Sequence, residues 1–125
     1  MPSAREVSIG FFDRICHNPS PNIVAWLENL VVSMRRDYDV DAPDVDIFVA
    51  YARILFLRAR EYMRLPLTRL TIVACMQLAL YMLDDYDQAN GYFDEHLPDP
   101  CALSACVTSV FVDGLRMNAC VHELI

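Results

Sequence analysis

The strongest pattern in the chain is the apolar run from Leu70 to Leu83, which holds no charged residue and only Thr71 and Gln77 as clearly polar ones. A surface helix shows a polar face every three or four residues, and this segment has none. It predicts a helix enclosed by other helices. Its fourteen residues fall short of the roughly 20 needed to cross a bilayer, and Arg69 and Asp84-Asp85 close its ends. Other segments show the helical period more openly. Ile23, Trp26, Leu27, Leu30, Val31 and Met34 form one stripe over Asn22 to Arg35, with Arg35-Arg36 placed where cations favour the C-terminal end of the helix dipole.

Val45 to Met63 predicts the next helix, with Asp44 as its N-cap and Asp46 in its first turn. Ile47, Ala50, Ile54 and Leu57 share one face, flanked by Phe48, Tyr51, Leu55 and Tyr62, while Arg53, Arg58, Arg60 and Arg64 interrupt the other. Between these two helices Asp37 to Asp46 reads as an acidic loop containing Pro43. A short helix is expected over Val7 to Cys16, ended by Asn18-Pro-Ser-Pro21. Arg64-Leu-Pro66 makes a tight connection into the apolar helix. A further short helix is expected over Gln88 to Glu95, then a break at Pro98-Asp-Pro100, and a packed helix over Ala102 to Val112 ended by Gly114. Leu115 to Ile125 reads as an extended linker or a last helical turn.

The expected fold is therefore all-α: five main helices around a buried central one, with residues 1–21 as an N-terminal segment and 22–125 as the main domain. Composition agrees. The 125 residues are 55% hydrophobic, which excludes a disordered chain, and only three are glycine. No Asn-Gly or Asp-Gly pair lies between alternating strands. A net charge of −7 argues against nucleic acid as a partner, because phosphate binding needs a basic face.

Candidate chemistry is sparse. The five cysteines, Cys16, Cys75, Cys101, Cys106 and Cys120, are odd in number and lack the Cys-x-x-Cys spacing. Met1 to Val7 is polar and charged and no apolar region follows, so no secretory leader is expected, and reduced thiols in an intracellular protein, in cytoplasm or nucleus, are expected with it. His17 beside Cys16 and His122 near Cys120 form no recognised metal-ligand set. Asp37, Asp39 and Asp41 open like a calcium-binding EF-hand loop, but the glycine at its sixth position is Ala42 and the glutamate at its twelfth is Phe48. Neighbouring carboxylates such as Asp84-Asp85 and Asp94-Glu95 point about 100° apart on a helix and form no catalytic pair. No catalytic residue, metal site or cofactor is expected, and no enzyme.

The order of segments carries a resemblance. Ile-Val-Ala-Trp-Leu (Ile23 to Leu27) is followed by Tyr-Ala-Arg-Ile-Leu (Tyr51 to Leu55). The buried helix ends Ala-Leu-Tyr-Met-Leu-Asp-Asp (Ala79 to Asp85). Asn90-Gly-Tyr92 comes next, and then Phe-Val-Asp-Gly-Leu-Arg-Met-Asn (Phe111 to Asn118). This succession, spanning Asn22 to Val121, resembles a single cyclin box, closest to the phosphate-regulon type cyclins of fungi and protists. The resemblance implies a five-helix module that performs no chemistry and regulates a protein kinase of the cyclin-dependent type. It places the kinase-facing positions at Tyr81, Met82, Cys106, Val110, Leu115 and Met117. It also places a groove for short peptide motifs at Ile23, Trp26 and Arg69. The four polar fixtures of the family are replaced: its kinase-gripping lysine and glutamate fall at Tyr81 and Cys106, its second-helix aspartate near Arg53, and its arginine before the first motif at Ser20. The alternative is a degenerate cyclin-box adaptor, or a viral or parasite mimic, that binds a non-kinase protein.

Overall fold

The computed structural model describes residues 2–37, 42–83 and 100–115. These residues form five α-helices: α1 (Ala4–Phe12), α2 (Pro21–Asp37), α3 (Ala42–Arg60), α4 (Arg69–Leu83) and α5 (Pro100–Ser109). A π-helical turn, Val110–Gly114, continues α5 and closes with Leu115 N–H donating to the Val110 carbonyl at 2.8 Å. No strand occurs among the described residues. The chain is an all-α bundle.

The apolar run behaves as its pattern demands. Every residue from Thr71 to Leu80 is buried, because α3, α5 and the π turn pack around α4. Its start is fixed by a capping box. Thr68 Oγ1 accepts from Thr71 N–H at 3.2 Å, and Thr71 Oγ1 accepts from Thr68 N–H at 3.0 Å. The Thr71 hydroxyl also lies 2.6 Å from the Pro66 carbonyl, so this buried polar group is satisfied.

The N-terminal segment contributes to the same core. Ser3 caps α1 by accepting from Glu6 N–H at 3.1 Å, which starts the helix ahead of the expected Val7. Phe11 and Phe12 are each 1% exposed, and their rings meet edge to face with centroids 5.3 Å apart. Phe11 also meets Phe56 of α3 at 6.3 Å. Ser8 is fully buried and its hydroxyl donates to the Val24 carbonyl at 2.7 Å, tying α1 to α2. The helix ends at Phe12, short of Cys16, because Arg14 takes a left-handed conformation (φ 68°) that turns the chain.

Three expectations need correction at α3. The helix begins at Ala42, and Pro43 is accommodated in its first turn, where no intrahelical partner awaits the missing N–H. Asp37 meanwhile closes α2. The described part of the expected acidic loop, Asp37 and Ala42 to Asp46, is thus helical, and Asp44 lies inside the helix instead of capping it. Second, α3 stops at Arg60, not Met63. The Arg60 guanidinium bonds the Leu65 carbonyl at 3.2 Å and the Ile15 carbonyl at 3.0 Å, and lies 4.7 Å from the Phe56 ring centroid. Third, the face that packs is Val45, Phe48, Val49, Ala52, Leu55, Phe56 and Ala59. Ile47 and Ile54 are 52% and 44% exposed, and Ala50 is exposed beside them. Both stripes have helical spacing; α1 and α4 cover one of them.

Pro100 opens α5, a position suited to proline. The helix expected over Gln88 to Glu95, the acidic pairs Asp84-Asp85 and Asp94-Glu95, the chain beyond Leu115 and Cys120 with His122 lie outside the described residues.

Candidate functional site

Side chains from α4 and α5 enclose an apolar cleft of about 240 Å³. Leu78, Tyr81 and Met82 line it from α4 at spacings of three and four, so they share one face. Val107 and Thr108 of α5, with Phe111 of the π turn, line the other side. Leu78 is buried, Tyr81, Met82, Val107 and Phe111 are half-buried, and Thr108 is exposed. The Tyr51 hydroxyl meets Met82 Sδ at 3.5 Å, which holds the methionine against α3. Hydroxyls of Tyr81 and Thr108 are the polar side-chain groups of the lining. The cleft is smaller than the roughly 300–1,000 Å³ of small-molecule sites. It suits one or two apolar side chains presented by a partner, as in helix-in-groove recognition.

Of the residues that the resemblance places on a partner face, the neighbours Tyr81 and Met82 line this cleft. Cys106, half-buried, precedes the lining residues Val107 and Thr108 on α5. Val110 requires correction: it is fully buried and belongs to the hydrophobic core, seven residues after buried Leu103 and so on the same helical face. It offers nothing to a partner. Leu115 is half-buried just after the π turn and is not among the lining residues, and Met117 lies outside the described residues. Leu78, Val107, Thr108 and Phe111 escaped the sequence reading. The i, i+4 pairs Leu78–Met82 and Val107–Phe111 were the available signal.

Behind the cleft, burial pushes the Cys75 thiol from its ordinary 9.0 up to about 12, and the neighbouring Cys106 adds to the shift. Burial also raises Cys106. Both remain protonated thiols near neutral pH, without the thiolate that nucleophilic or metal chemistry needs. Among the described residues no three His, Cys, Asp or Glu side chains cluster as metal ligands. No described helix is long and apolar enough to cross a membrane.

The second sequence-marked face is also assembled in part. The Arg69 guanidinium stands 5.7 Å from the Trp26 ring centroid, within cation–π range. It links the start of α4 to α2. Trp26 and Ile23 are half-buried against the core. Ser20 and Arg53 make bonds within the chain itself. Ser20 Oγ accepts from Asn22 N–H at 3.3 Å at the start of α2. Arg53 donates twice to the Asp13 carbonyl, at 2.9 and 2.7 Å.

No family model, curated protein or solved structure matches this chain.

Proposed function

We propose that this chain is a non-enzymatic helical docking module whose α4–α5 cleft receives apolar side chains of a protein partner. The observation that carries the reading is the cleft itself: a mostly apolar, partly open lining at Tyr81 and Met82 that holds no carboxylate, histidine or lysine. The cyclin-box resemblance gives the narrower form, a regulatory subunit of a cyclin-dependent-type kinase in cytoplasm or nucleus. In that form the module acts by contact alone. It docks on the kinase's mobile helix, sets the glutamate that pairs with the ATP-binding lysine, and orders the activation loop. Tyr81 and Cys106 stand where the family uses a charged pair, so affinity rests on apolar contact. Such pairs often barely offset their own desolvation, so their replacement is compatible with binding. Binding that rests on apolar contact depends little on salt.

The same replacements favour a second reading, an adaptor for a non-kinase partner, since Ser20 and Arg53 are engaged within the chain. The test is capture of purified cyclin-dependent-type kinases by the full chain and by Thr108→Glu. Thr108 is exposed at the rim, so the substitution places a charge in the cleft without entering the core. A folded Thr108→Glu variant should lose at least about tenfold in affinity, about 1.4 kcal/mol. Kinase binding unaffected by Thr108→Glu refutes the cleft. Failure of every such kinase to bind the wild type moves the conclusion to the adaptor. Val110→Asp is unsuitable, because a charge at that buried position unfolds the domain.

A further inference from the structure

We infer that the end of the bundle where α3 meets α4 is a second docking surface, one that takes an acidic peptide segment carrying an apolar side chain. The inference is independent of the α4–α5 cleft, with which this surface shares no lining residue. It starts from charge. The chain is acidic overall, its ten cations are all arginine, and five of them fall between Arg53 and Arg69 against the single acid Glu61. Arg58 and Arg64 are exposed and have no carboxylate partner among the described residues. Arg53 is paired with Asp13, Arg69 stacks on Trp26 and Arg58 lies outside the cleft described next, so the charge offered there is that of Arg60 and Arg64. These two guanidinium groups attract outside carboxylates on a chain of net charge −7.

Geometry supplies the rest. Arg60, Met63, Arg64, Leu65 and Pro66 line an open cleft of about 520 Å³. Its apolar surface comes from Met63, Leu65 and Pro66, and its charge from the two arginines. Arg60 is already held in place. Two of its N–H groups bond the Leu65 and Ile15 carbonyls, and Phe56 backs the guanidinium plane. Its remaining donors therefore pay little ordering entropy on binding. Arginine forks match carboxylates in paired hydrogen bonds, and the apolar patch between them fits a leucine-like side chain. Nucleic acid fits less well, because a phosphate backbone requires a continuous basic track, and sixteen of the seventeen carboxylates lie outside this segment. A second copy of the chain meets the repulsion of its own net charge.

The probe is a fluorescein-labelled peptide, Glu-Asp-Glu-Leu-Glu-Asp-Glu with blocked ends, titrated with the full chain and read by anisotropy. Saturable binding that weakens on raising salt is expected. Arg64→Glu should weaken it at least about tenfold. Arg5→Glu, at the far end of α1, should weaken it less than about twofold. Arg64 is exposed and makes no bond within the described chain, so circular dichroism should show both variants folded. A probe with serine for leucine should bind at least about threefold more weakly. The proposal is overturned by any one of four results: no saturable binding below about 1 mM protein; equal losses in the two variants; equal binding of the serine probe; or equal competition by a single-stranded oligonucleotide of matched charge. Sedimentation showing that the chain self-associates through this end, with the peptide displaced as it does so, assigns the surface to a second copy and also overturns it.

Discussion

Gly114 holds the π turn against α3, and replacing it with alanine should destabilise the fold despite alanine's better helical propensity. The backbone at Gly114 lies outside the left-handed region, so the substitution meets no conformational barrier and gains about 0.5–1 kcal/mol of unfolded-state entropy. Space decides against it. A methyl at this position would stand 2.8 Å from Ala59 Cβ, 2.9 Å from Met63 Sδ and 3.2 Å from Ala59 Cα. Ordinary carbon contacts are about 3.5–4.0 Å. The thioether of Met63 can swing away, but Cα and Cβ of Ala59 move only with α3. Overpacking of this kind costs about 1–3 kcal/mol, and the balance is a loss of about 1–2 kcal/mol, or several degrees in Tm for a domain of this size.

Urea denaturation followed by circular dichroism measures the loss. A double-mutant cycle with Ala59→Gly isolates its cause. Alone, Ala59→Gly should cost up to about 1 kcal/mol in helix propensity. Combined, the two substitutions should be less damaging than their sum by about 1 kcal/mol, because the deleted methyl makes room for the new one. A Gly114→Ala variant as stable as the wild type, or two costs that simply add, would show that the close approach of the π turn to Ala59 is wrong.

Thr68→Ala should cost about 1 kcal/mol by removing the cap of α4, whereas Thr68→Ser, which keeps the hydroxyl, should recover most of it; equal urea midpoints for the two variants would refute the capping box. Thiol labelling at pH 8 followed by mass spectrometry should modify exposed Cys101 in the native protein and leave Cys75 untouched until denaturant is added, since a thiol held near 12 is only about one part in ten thousand thiolate there. The same raised value gives a stability contribution fully present below pH 9 and lost between pH 9 and 12, as the unfolded thiol ionises first. Cys75→Ser should flatten that alkaline loss, and an unchanged pH profile would exclude Cys75 as its source.

Burial of α4 was legible from sequence because an uncharged run of fourteen residues leaves no face that can meet water. The existence of α2 and α3 followed from period, which acts locally, whereas Pro43, expected in a loop, lies in the first turn of α3. The buried face of α3 was not legible. Ile47, Ala50 and Ile54 share a helical stripe as regular as that of Phe48, Ala52, Leu55 and Phe56. Only the positions of Phe11 on α1 and of α4 settle which stripe is covered. The same holds for the two proposed docking surfaces. Tyr81 and Met82 could be picked out along the chain. Val110 lies in the core on the face of α5 that carries Leu103, and only the packing of α5 against α4 shows that this is the covered face. Arg60 becomes part of a surface only because Ile15, forty-five residues away, offers its carbonyl across the bundle. Local propensity and period fix where helices form; which face each one buries depends on partners distant in sequence, and that was decided by the packing.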